Sequence, residues 1–145
     1  MQGSHVLTLV SSLVARNQQG GVPHDIGGSG SIAGSANLVM SSTLTLPGGT
    51  LSADPLLIAA IGNYGGQTDT VGLQPGSPAI DAGSNPLGML CDQRAGSFLP
   101  PFNIVGIYER QHGAAVDIGA FESGAGDALF GDGFEEIALF SCRPS

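Results

Sequence analysis

Short apolar runs, cut by glycine, proline and small polar residues, set the rhythm of this chain. Residues 6–16 (VLTLVSSLVAR) alternate apolar and polar and are rich in β-branched side chains, which predicts a strand. Asn17 to Gly21 breaks that run, and Pro23 to Gly30 reads as turn. Residues 31–40 hold two apolar bursts separated by Gly34 and Ser35. Thr43 to Leu46 alternates again and stops at Pro47-Gly48-Gly49. Short strands with a turn about every eight residues fit the stacked coils of a solenoid, and they fit a β-sandwich equally well. Leu56 to Ile61 is an unbroken apolar run, predicted as a short helix or a buried strand that ends at Gly62 and Asn63.

Composition narrows this to one turn-rich β domain. The chain has 145 residues, 41% hydrophobic and only 11% charged, with 24 glycines and 9 prolines. It has no lysine, and 4 arginines face 12 acids for a net charge of −8. Phosphate backbones and anionic lipid surfaces repel such a chain, so nucleic acid is not an expected partner. No apolar run reaches the ~20 residues of a membrane span. Val6 to Ala15 has about the length of a signal-peptide core. The preceding Met1 to His5 carries no arginine or lysine, however, and the run alternates like a strand. The expectation is therefore that this chain holds no signal peptide. Low charge with abundant Ser, Thr, Gly and Asn suits a secreted or surface-exposed bacterial protein.

Candidate chemistry is sparse. Cys91 and Cys142 have neither a C-x-x-C partner nor a histidine at ligand spacing; they are expected to form one disulfide between tail and body, or to be two buried thiols. His5, His24 and His112 share no zinc-site spacing, and Gly27 to Gly30 lacks the Lys-Ser/Thr of a phosphate loop. Residues 127–136 are acidic but miss the ligand register of a calcium loop. Asp81, Asp92, Asp117 and Glu122 have the character of paired carboxylates for glycoside hydrolysis. Turn chemistry offers them another use. Pro75-Gly76 is a turn dipeptide, and Pro78 withholds a donor, as an edge position would. Ile80 is expected to point inward. Asp81 before Gly83, and Asp117 before Gly119, are placed to accept N–H groups from the turns that follow them. Arg94 lies among these aspartates, two residues after Asp92, and a guanidinium clamp on one of them is expected. No catalytic, cofactor or metal residue is assigned, and no cofactor is expected.

Residues 73–85 (LQPGSPAIDAGSN), Asp92-Gln93-Arg94, and residues 116–122 (VDIGAFE) together resemble the end piece of bacterial right-handed parallel β-helix proteins of the choice-of-anchor Q family. Residues 9–17, the block around Asp25-Ile26 and 34–39, Asp54 to Leu57, and Asn63 to Thr68 are similar to the coils and the approach that precede that end piece. Arg94-Ala95 departs from the family, where glycine follows, and residues 97–112 form a longer, more aromatic loop than is usual. The resemblance implies an all-β chain: about two terminal β-helix coils over residues 1–50, a cap over 51–122, and a linker and short tail over 123–145. Pro75, Gly76, Pro78, Asp81, Gly83, Asp92, Arg94, Asp117, Gly119 and Glu122 would be cap residues with structural duty. The open end of a solenoid exposes interior and strand edges, so its last unit must differ from the others.

The function implied is a non-catalytic, adhesin-like module of the cell surface or outer membrane. Its partners would be upstream β-helix coils and, for the parent protein, a surface glycan or host surface. The alternatives are the terminal fragment of a carbohydrate-active β-helix enzyme and a truncated gene product with no activity of its own. The tail around residues 127–135 looks like a short C-terminal motif of exported Gram-negative proteins.

Overall fold

A computed structural model describes residues 5–64, 68–94 and 110–124. Among them there is no helix; the secondary structure consists of short strands, isolated bridges and turns. β1 (Val6–Val10) and β2 (Leu13–Val14) come from the first alternating run, kinked between them at Ser11, whose φ is 47°. β3 (Gln18–Gln19) and β4 (Val22–Pro23) form a tight antiparallel hairpin. Gly20 and Gly21 both have positive φ there, the conformation that a two-residue hairpin turn requires. β5 (Ser31–Ser35) and β6 (Leu38–Val39) follow, bent between them at Ala36.

β1 pairs with β5 and β2 with β6, both in parallel. Val6 faces Ser31 and Leu13 faces Leu38, the same 25-residue offset in each sheet. Ile26–Ser42 and Leu38–Leu51 add single parallel bridges, so Leu13, Leu38 and Leu51 stand in one column. Asn37, 1% exposed, ties the layers at the bend: its Oδ1 accepts from Ser12 N (3.0 Å) and its Nδ2 donates to Leu9 O (2.9 Å). The backbones also approach closely at Gly34, where any Cβ would run into Leu9 O. Asp25 fixes the opposite corner. Its carboxylate accepts from Asn17 N (2.8 Å), Asn17 Nδ2 (3.0 Å) and the Ser41 hydroxyl (2.6 Å).

Thr43 to Leu46, expected to be a strand, is not one. Pairing stops at the Ser42 bridge, and the Ser42 hydroxyl both donates to Leu44 O and accepts from Leu44 N, turning the chain locally. Leu56 to Ile61 is likewise neither helix nor buried strand. It is irregular, with Leu56 at φ 49° and bends at residues 59 and 60, between the antiparallel bridges Leu57–Leu73 and Gly62–Thr70, and Ile61 is 69% exposed. The rest of the chain packs onto the leucine column. Leu73, Ala79 and Ile118 join Leu38 in the core, with Leu13, Leu51, Leu57, Ile80 and Ala82 around it. Ile80 packs against that core as its partly buried neighbour.

Among the described residues no helix is long and apolar enough to cross a membrane. The tail from residue 125, and most of the 97–112 loop, lie outside the described residues.

Candidate functional site

The turns around the predicted carboxylates bring distant segments together. Pro75 and Gly76 occupy the second and third positions of a turn closed by Ser77 N to Gln74 O (3.1 Å), with Gly76 at φ 84° as a type II turn requires. Pro78 follows, and Ser77 anchors the turn through its hydroxyl to Pro55 O (2.6 Å). The segment 79–83 then meets 116–118: Ile118 N donates to Ala79 O (2.8 Å) and Gly83 N to Val116 O (2.7 Å). Gly83 is obligatory at this crossing, because a Cβ would lie 2.5 Å from Asp117 O and 2.6 Å from the Ser11 hydroxyl. Gly119, at φ 109°, brings the segment back to the first strand run by donating to Ser11 O (2.9 Å).

Four ionisable side chains cluster beside this crossing. Arg94 closes on Asp92: Nε (2.8 Å) and Nη2 (2.6 Å) both reach Oδ2, while Oδ1 accepts the Arg94 amide (2.7 Å). The clamp thus converges on one oxygen of a carboxylate two residues away. Nη2 also donates to Glu122 O (2.6 Å), and Glu122 N donates back to Asp92 Oδ2 (2.9 Å). The guanidinium stacks 3.9 Å above the Phe121 ring centroid, and Phe121 meets Tyr64 edge to face at 6.0 Å.

Arg110 is the second cation. Nη1 donates to Glu122 Oε2 (3.2 Å); Nη2 donates to Asp117 O (3.2 Å) and Gly119 O (2.9 Å). Glu122 further accepts from His112 N (2.8 Å) and Asp117 N (3.0 Å). The side chains of Asp92 and Glu122 are 0% exposed and those of both arginines 5%. Burial pushes the Glu122 carboxyl above its ordinary value. The Asp117 and His112 amides draw it down, the Asp117 charge raises it further, and Arg110 opposes.

Asp81 and Asp117 do not bond to the turns that follow them. Asp117 is fully buried and accepts from Asp81 N (2.9 Å) on one oxygen and Ser123 N (2.7 Å) on the other. Asp81, at φ 55°, reaches across to Ala115 N (3.0 Å). Each aspartate therefore bridges two segments far apart in sequence. Both ring the same crossing as the ionic cluster.

No family model, curated protein or solved structure matches this chain.

What the cluster can do chemically follows from how its lone pairs are used. Asp92, Asp117 and Glu122 spend both oxygens on amides or guanidinium groups, and none has side-chain surface to offer a substrate. Among the described residues no group of three or more His, Cys, Asp or Glu side chains is placed to hold a metal ion. The nearest open space is a cleft of about 570 Å³ between Val10–Leu13 and the loop 84–93, with Cys91, Asp92 and Arg110 in its wall. Cys91 is buried and disulfide-bonded; Cys142, the chain's other cysteine, lies outside the described residues. Sequence reading missed Arg110, Asn37 and Asp25. Arg110 is tied to Glu122 only by tertiary contact. Asn37 and Asp25 sit in coil-like blocks, where a polar residue at a bend is the signal that finds them.

Proposed function

We propose that this chain is the end piece of a right-handed parallel β-helix of the choice-of-anchor Q kind, a non-catalytic structural module of an extracellular or cell-surface parent. The observation that carries this reading is the repeated 25-residue offset: two separate sheets pair in parallel at the same spacing, as successive coils of a solenoid do. Buried Asn37, bonded from one layer to the next at the bend, supports it. The ionic cluster supports the cap assignment. Two guanidinium–carboxylate pairs and Asp117 join 79–83, 92–94, 110–112 and 117–123 into one unit, which returns to the strands through Ser11 and Gly119.

Asp92, Asp117 and Glu122 are buried with both oxygens bonded, and only Asp81 of the four candidate carboxylates is exposed; that argues against glycoside hydrolysis, which needs one carboxyl able to give a proton to the sugar and another open to water or sugar. The test is a depolymerisation assay over a panel of neutral and acidic polysaccharides, followed by reducing-end release and by absorbance of unsaturated uronate. The expected result is no release above the blank. Cleavage that disappears in Asp92→Asn would overturn the non-catalytic reading.

A further inference from the structure

We propose that residues 137–141 of the tail, drawn in by a disulfide between Cys91 and Cys142, seat in the cleft between Val10–Leu13 and the loop 84–93. The proposal stands on that cleft and on the two cysteines, and it holds whether or not the chain caps a solenoid. Cys91 is buried, forms part of the cleft wall and is disulfide-bonded. The chain has 2 cysteines, so the partner within one molecule is Cys142. From Gly124, the last described residue, 18 residues lead to Cys142, up to about 60 Å of extended chain, so reach does not restrict the bond. Its formation takes two electrons and two protons from the thiols and passes them to the disulfide of an exchange partner, which leaves as a dithiol.

The bond fixes what lies beside it. Joined cysteines hold their Cα atoms about 4.4–6.8 Å apart, and two residues span at most about 7 Å, so Phe140 sits within about 14 Å of Cys91. Met89 and Leu90 are the neighbours of Cys91 in that same space. The segment just before Cys142 is Ile137-Ala138-Leu139-Phe140-Ser141, uncharged and mostly apolar in a chain with a net charge of −8. The cleft offers it matching walls in Val10, Leu13, Pro86, Leu87 and Met89. Leu87 is 78% exposed and Met89 47%. A volume of about 570 Å³ admits a short segment with its large side chains.

The receiving surface is rigid before anything docks. Asn85 Nδ2 donates to Met89 O (2.7 Å), and its Oδ1 accepts from Met89 N (2.9 Å). Leu90 O accepts from Arg110 N (2.9 Å), and Gln93 N donates to Ala120 O (3.0 Å). Little ordering is left to do on this side of the contact. A strand stacked on β1 from upstream would not claim the cleft either. Ser11, in its wall, already accepts Gly119 N on its carbonyl (2.9 Å) and Ser84 N on its hydroxyl (3.1 Å). A tether so close to the docking segment holds it at a local concentration of about millimolar or above, at which modest apolar contact suffices.

Peroxide footprinting of the whole chain tests this, with Met89 as the probe and Met40, 37% exposed and outside the cleft, as the internal reference. Peptide mapping without reductant should first recover the segment around Cys91 joined to the segment around Cys142. In the Leu139→Ser/Phe140→Ser variant, which keeps the disulfide, Met89 should oxidise about threefold faster than in wild type or more, while Met40 keeps its rate. Should Met40 speed up as well, the fold has loosened, and Phe140→Ser alone decides on the same criterion. Cys91 joined to a second chain, or a Met89 rate indifferent to the loss of the apolar tail residues, would each overturn the proposal.

Discussion

Glu122 and Asp25 place two carboxyls under opposite pressures, and the pH dependence of folding should carry both. Glu122 is lifted above its ordinary 4.5, by burial first, so the folded state binds its proton more tightly than the unfolded chain does. Its contribution to stability is full below the unfolded value and is lost as pH rises through the folded one. Burial also lifts Asp25, but bonds from the Ser41 hydroxyl and Asn17 outweigh it, and its value ends below 3.8. That contribution is present above 3.8 and fades as pH falls through the lower folded value. Urea unfolding of wild type and Glu122→Gln checks the sign. As pH falls from about 7 toward 4.5, the stability difference should move in favour of wild type, since the variant cannot take up that proton. A difference that moves the other way would mean that the Arg110 pair, and not burial, governs this carboxyl.

Strand elements owe their placement to alternation, and their stacking to polar residues at the bends. The alternation of residues 6–16 and the two apolar bursts of residues 31–40 are legible without a structure, and β1, β2, β5 and β6 fall within those runs. Thr43 to Leu46 alternates as well, yet forms no strand, because Ser42 turns the chain before a partner is met. Alternation reports which face a residue would present. It does not report whether a neighbouring strand exists. Asn37 shows the same gap: as one asparagine between two apolar bursts it reads as a turn residue, whereas folding buries it across two layers. Asn37→Ala should therefore cost about 1–3 kcal/mol, the range for leaving a polar group out of water without its partner, here the half-buried Ser12 N. Denaturant unfolding measures it; a midpoint equal to wild type would show that water replaces the amide at no cost.

For the molecule as a whole, local sequence gave the wrong partners for Asp81 and Asp117. Adjacent turns were the nearest candidates, while the actual donors, Ala115 for Asp81 and Asp81 and Ser123 for Asp117, arrive through the fold. Arg110 was invisible for the same reason, since nothing in the spacing of a loop ties its guanidinium to Glu122. Arg94 beside Asp92 was readable because the pair is two residues apart. Short two-stranded parallel sheets therefore pack against a segment in which Arg94 pairs with Asp92 and Arg110 with Glu122 out of water.

If the stack is a solenoid, it should accept another turn. Inserting a second copy of residues 6–30 after Gly30 adds one repeat at the 25-residue offset and one further parallel interface. Thermal unfolding of the lengthened chain tests the account most directly. It predicts one cooperative transition with a Tm several degrees above wild type, because stacked repeats add interface energy faster than each costs in entropy. A lengthened chain that melts lower, or in separate steps, would contradict it, since an insertion of this size disrupts a sandwich and extends a coil.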